Sequence, residues 1–217
     1  MRMYNPDWEA IKDFEYTPRF KDVQFDLVGN EIPADHGQVL FDALAALLPW
    51  LKDEPAAGVH PIHGAPTGRN DNLVISRRIK LVLRLPVERL EEVRILCGKR
   101  LDTGAGEIAV GGLKEKILTP FATLYSPVVD FGIADEAAFL EAAHAELEEM
   151  GIRCGLIPGK QRKMRLTEGE ISGYSLMLHD VSLQQSLLVQ ETGLGRHRGY
   201  GCGIFVPHKS IKEVAAG

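Results

Sequence analysis

Gly193-Leu194-Gly195-Arg196-His197-Arg198-Gly199-Tyr200-Gly201-Cys202-Gly203-Ile204-Phe205-Val206-Pro207 holds five glycines and then runs into an apolar segment of strand character. Glycines crowded this closely predict backbone that bends sharply or approaches something closely. Arg196, His197 and Arg198 stand among them, so exposed amides and positive side chains are combined as a phosphate-bearing partner requires. The plainer reading is a tight connection between a helix and a buried strand.

Working back from this loop, Ser182 is placed to cap a helix with Gln185 at the capping-box position, and Gly193 ends that helix. Strand material precedes it over 169–179, over 164–166 and over 152–158, with the basic segment Gly159-Lys160-Gln161-Arg162-Lys163 between the last two. Asp135 to Met150 is the clearest helix: Phe139, Leu140, Ala143, Leu147 and Met150 form its apolar face, and Gly151 sits just past its end. Leu124 to Phe131 reads as the strand before it. This half therefore runs strand, helix, strand, strand, helix, strand.

The first half repeats that order. Val23, Phe25 and Leu27 alternate with Gln24 and Asp26 as in a half-buried strand. A helix follows, with Asp35 as its expected cap, Gln38 at the capping-box position, and a stripe of Leu40, Ala43, Leu44, Leu47, Leu48 and Leu51. Gly58 to Asn70 reads as a long loop; strands are expected over 73–75 and 79–85, with Lys80 and Arg84 sharing a polar face. A short helix is expected over 87–96, between Pro86 and Gly98, then strands near 107–110 and 114–118. The predicted fold is α+β, tandem ferredoxin-like domains: an N-terminal extension over 1–20, a first domain over 21–119 and a second over 120–217.

The 217 residues suffice for two such domains, and no apolar run is long enough for a membrane helix. The first twenty residues lack the apolar core of a signal sequence. Cys97, Cys154 and Cys202 are odd in number and widely spaced, which points to a reducing, cytoplasmic setting and away from a metal site. The net charge of −5 argues against a general nucleic-acid binder. Local basic patches at 153–165 and 196–198 on an acidic body instead suit one specific polyanion.

No Walker sequence, G-x-S-x-G elbow or HExxH spacing occurs. The glycine loop departs from G-x-G-x-x-G and precedes the last strand, so a dinucleotide site is a poor fit. RNA offers a better account. Its 2′-hydroxyl attacks the adjacent phosphorus once a base removes the proton and positive charge holds the phosphate, with no metal or other cofactor needed. His36, at a helix start where the positive end disfavours the imidazolium, fits the base. His60 and His63 lie in the long loop, and sequence alone does not exclude His60 from the same work.

The combined pattern resembles the CRISPR repeat-processing endoribonucleases. The run from Gly193 to Phe205 looks like that family's glycine-rich loop, and Val28 to Trp50 with Gly58-Val59-His60-Pro61-Ile62 looks like its myxobacterial-type branch. The resemblance implies cleavage of precursor CRISPR RNA within each repeat, leaving a 2′,3′-cyclic phosphate and a 5′-hydroxyl. It implies His36 as the catalytic histidine and CRISPR repeat RNA as the partner. It implies RNA contacts from Lys160, Arg162, Lys163 and Arg165 and from Arg196, His197 and Arg198, around the loop glycines Gly193, Gly195, Gly199, Gly201 and Gly203. Many members of the family keep the cut RNA and join a larger effector complex. The rival readings are a non-catalytic RNA-binding subunit of such a complex and a regulatory ferredoxin-like domain.

Overall fold

The structure is a computed structural model and describes residues 16–68 and 70–208. Most of the expected extension over 1–20, and the end of the second domain from 209 on, lie outside the described residues.

In chain order the first half contains β1 (Phe20–Val28), β2 (Glu31–Pro33), α1 (Gly37–Leu47), β3 (Gly58–Val59), β4 (Ala65–Pro66), β5 (Asn72–Val74), β6 (Lys80–Pro86), β7 (Arg100–Asp102) and β8 (Glu107–Ile117). The sheet order is β3-β6-β1-β8-β7, and every pairing is antiparallel. Taking β1, β3, β6 and β8 as the four strands of the motif, their spatial order is second, third, first, fourth. The second half contains β9 (Leu124–Val129), α2 (Glu136–Glu149), β10 (Gly155–Leu166), β11 (Gly169–His179), α3 (Leu183–Thr192) and β12 (Val206–Pro207), with the order β10-β11-β9-β12. This is again second, third, first, fourth. Both halves are thus ferredoxin-like. The first adds β7 at its edge and a small sheet, β2-β5-β4, beside it.

Local chemistry explains most elements. Asp135 caps α2 by accepting the Ala138 amide at 2.9 Å, and Gly151 takes the left-handed φ of 70° that stops it. Replacing Asp135 with Ala should cost about 1 kcal/mol, read as a lowered urea midpoint at unchanged slope. An unchanged midpoint would show that water replaces the cap. Ser182 caps α3 by accepting from Gln185 at 3.4 Å.

Three expectations need correction. Residues 87–96 form two short 3₁₀ segments, Val87–Arg89 and Glu92–Leu96, in place of an α-helix. Leu90, Val93 and Leu96 are buried at intervals of three, the 3₁₀ repeat. Strands expected in pairs are continuous: those near 107–110 and 114–118 are one strand, β8, and those over 152–158 and 164–166 are one strand, β10, which carries the basic segment within it. His36, not Asp35, stands at the N-cap position of helix α1, and its side chain does not cap the helix: Asp35 accepts the Arg165 amide at 2.9 Å and Gln38 accepts the Thr167 amide at 3.0 Å, both from the tip of the β10–β11 hairpin.

That hairpin reaches beyond its own sheet and docks on α1. Gly37 is glycine for this reason, because a Cβ there would lie 2.7 Å from both the Met164 Cε and the Tyr200 carbonyl oxygen. Each half has its own core. One spans Val23 to Val110 around Phe25, Leu44 and Leu83; the other spans Phe121 to Phe205 around Phe139 and Leu176.

Candidate active site

The two halves are pinned together by a buried arginine. Arg84 is 1% exposed and donates to the Asp22 carboxylate at 2.7 and 3.0 Å, to Gln190 O at 3.0 Å and to Phe205 O at 2.6 Å. It lies on the face of β6 that sequence reads as polar, but the second half covers that face. Burial alone would raise the Asp22 pKa; Arg84, with His60 beside it, outweighs burial and holds the carboxyl far below its ordinary range. Arg198 is buried in the same place and donates to Gln190 O at 3.1 Å. Burial, reinforced by Arg84, lowers its pKa to about 9.

Above this joint lies a cleft of about 550 Å³, lined by the start of α1, the loop after β3, the hairpin strand β10 and the glycine-rich loop. His36, His60, His63, Arg162, Lys163 and Tyr200 all border it. His36 itself is 6% exposed. Its Nε2 accepts the Ile62 amide at 2.9 Å, so the proton resides on Nδ1, which donates to Pro33 O at 2.9 Å. Burial is the main reason its pKa falls below the usual histidine value, so the ring is neutral at neutral pH, as its helix-start position predicts. The Ile62 bond could not be read from sequence, because the partner amide lies on a loop of no regular pattern.

His60 continues β3, its amide donating to Val82 O at 2.9 Å, and its ring stands 3.4 Å from Asp22. At that distance the contact is at most a weak hydrogen bond. Burial still dominates and lowers the His60 pKa. His63 differs from both. It is exposed, and its ring makes no hydrogen bond within the described residues. Its ring reaches solvent, yet the cleft walls around it are the first cause that lowers its pKa, and the positive charge of Arg162 the second.

The residues expected to contact RNA separate into three groups. Arg162 and Lys163 line the cleft, and Lys160 and Arg165 are exposed on the same strand. Lys163 pairs with Glu170 at 2.6 Å on the surface. Arg196 is exposed, and His197 is half-buried with Nδ1 2.7 Å from Asp130. Asp130 is fully buried and also accepts the Gly132 amide at 2.7 Å, so it anchors the loop from beneath. Arg198 points into the body, where an exposed loop cation was expected. The loop glycines shape this turn: at Gly203, with φ of 66°, any Cβ would strike the Leu194 carbonyl. Tyr200 packs on Phe41, ring centres 4.6 Å apart. Within the described residues no group of three His, Cys, Asp or Glu side chains converges as a metal site requires. Nor is any helix there long and apolar enough to cross a membrane.

A family model described as Cas6 Crispr matches residues 22–210. The chain belongs to the Cas6 family. It is 35% identical over 189 residues to the CRISPR-associated endonuclease Cas6 of Myxococcus xanthus (strain DK1622), covering 87% of this chain and 81% of that one. Among solved structures it is similar to a Cas6-related protein of Pyrococcus furiosus, with a TM-score of 0.65 and 15% identity over 88% of this chain and 99% of the other. It is also similar to Cse3 of Thermus thermophilus bound to an RNA representing a pre-cleavage complex, with a TM-score of 0.50 and 14% identity over 86% and 98% of the two chains. At these identities the two solved structures support the tandem fold alone. Family membership makes the chain a CRISPR-associated endonuclease, and the reading as a regulatory ferredoxin-like domain is set aside.

Proposed function

We propose that this Cas6 cuts precursor CRISPR RNA within its repeats without a metal, by attack of the RNA's own 2′-hydroxyl in the cleft between the halves. The products are a 2′,3′-cyclic phosphate and a 5′-hydroxyl. The observation that carries this reading is the meeting of neutral histidines from the first half with the hairpin cations Arg162 and Lys163 from the second, Arg162 without a carboxylate partner among the described residues. Proton removal and stabilisation of a negatively charged phosphorus centre are the two things the reaction needs. The hairpin cations Lys160, Arg162, Lys163 and Arg165, with Arg196 and His197 of the glycine-rich loop, then hold phosphates along the path into the cleft. Further subunits of an effector complex remain proposed partners on the strength of the family resemblance.

His36 is proposed as essential to this site. To act as the base it must first release the Ile62 amide, because that amide occupies the only lone pair of the neutral ring. The same bond favours a second reading of its part, in which it fixes the loop bearing His60 and His63.

The test is cleavage of the chain's own repeat RNA in excess EDTA, beside a matched RNA with a single 2′-deoxy nucleotide at the cut. Cutting in EDTA should proceed, and the deoxy substrate should bind with unchanged affinity and stay intact. Cutting of the deoxy substrate would overturn the mechanism. Tight binding with no cutting of either RNA would favour the non-catalytic subunit.

A further inference from the structure

Among the described residues, His63 is the one histidine of the cleft whose ring is exposed and makes no hydrogen bond. His36 spends its ring nitrogens on Ile62 and Pro33, and His60 is drawn toward Asp22. His63 follows Ile62 directly, so the hydrogen bond from the Ile62 amide to His36 fixes the backbone that carries it. We propose that His63 is the general base of the cleft and that His36 is the positioning residue that holds its loop against α1. This deepens, and rests on, the reading of the cleft as a metal-independent RNA-cutting site.

The step balances as follows. A ring nitrogen of His63 takes the proton of the 2′-hydroxyl. The 2′-oxygen forms a bond to phosphorus as the bond from phosphorus to the 5′-oxygen breaks. The leaving oxygen takes a proton from water, and the imidazolium later returns its own to solvent. Arg162 serves twice. Its charge disfavours the imidazolium, which leaves the His63 lone pair ready at neutral pH, and it stabilises the negative charge that grows on the phosphate oxygens. Besides Arg162, the charged and titratable groups that line the cleft with His63 are Lys163 on the same hairpin, Asp35 and His36 at the start of α1, His60 on its own loop and Tyr200.

The experiment is single-turnover cleavage at saturating repeat RNA, as a function of pH, for wild type, His63→Ala, His36→Ala and His36→Gln. The 2′-deoxy RNA is included as a control. Wild type should show a rate that rises through an acidic limb with its midpoint below the ordinary histidine value and then levels. His63→Ala should cut about 10²–10⁴-fold more slowly, bind RNA with unchanged Kd, lose that limb and regain rate when imidazole is added. His36→Ala should lose cutting, whereas His36→Gln, whose amide oxygen can still accept from Ile62, should stay within about tenfold of wild type. His63 is exposed, so its replacement should leave thermal unfolding unchanged. Near-normal cutting by His63→Ala, or slow cutting that imidazole leaves untouched, would overturn the assignment. So would a His36→Gln variant as inactive as His36→Ala. If wild type cuts the 2′-deoxy RNA, the hydroxyl-attack reading itself fails, which separates the two failures.

Discussion

An Arg84→Leu chain is expected to unfold about 3–5 kcal/mol more easily than wild type, the largest stability loss of any single substitution considered. The reason is what the substitution leaves behind. Asp22 would remain an enclosed carboxylate without its main cationic partner, and the Gln190 and Phe205 carbonyls would lose a donor inside the joint. Urea unfolding at neutral pH measures it; a loss below about 1 kcal/mol would mean that water enters the joint and repairs it. The pH dependence follows from the depressed Asp22 pKa. Its contribution to wild-type stability is complete above the ordinary carboxylate value and is lost as pH falls toward the lower folded value. The Arg84→Leu chain lacks that partner, so the stability difference between the two proteins should shrink on acidification below about pH 4. A difference independent of pH would contradict the ion pair as its source.

The opposite profile is expected of Arg162→Ala/Lys163→Ala. The Arg162 side chain makes no hydrogen bond or ion pair within the described residues, and the Lys163–Glu170 pair is exposed, so unfolding should barely change. RNA binding should weaken by about 10²-fold, taking roughly 1.5 kcal/mol for each charge-assisted contact. The slope of log affinity against log salt should become shallower by about 1.5 to 2, as expected when two phosphate contacts disappear. Titration of repeat RNA at several salt concentrations gives both quantities. A lower affinity at unchanged slope would show that the two cations act on the shape of the cleft and not on phosphates.

Arg84 and the Arg162–Lys163 pair mark what sequence could and could not supply. The repeated order of strands and helices was legible because caps and stops are local. Asp135, Gly151, Ser182 and Gly193 each act within a few residues of themselves. Residues 87–96 misled because an apolar repeat of three, ended by glycine, also satisfies the pattern of a short helix. The position of His36 at a helix start was legible, and so was the basic run that holds Arg162 and Lys163; that the three border one cleft was not. Arg84 was not, because alternation along β6 assigns it to a polar face and says nothing of a second half that covers it. Arg198 sits in a loop that looks exposed, yet Gly58 and Gly193 leave room for its guanidinium inside. His63 carried no signal in a glycine- and proline-rich loop. Only the folded chain shows that this loop and the hairpin enclose the same space.

The hairpin tip meets α1 through the main-chain amides of Arg165 and Thr167, which donate to the Asp35 and Gln38 side chains. A lock of this kind is indifferent to the side chains of the strand that wears it. The receiving half must keep its two acceptors, whereas the arriving half need offer only extended backbone. Positions such as 160 and 165 can therefore be rewritten to follow a drifting repeat sequence, one substitution at a time, while the two halves stay in register and the cutting chemistry stays assembled.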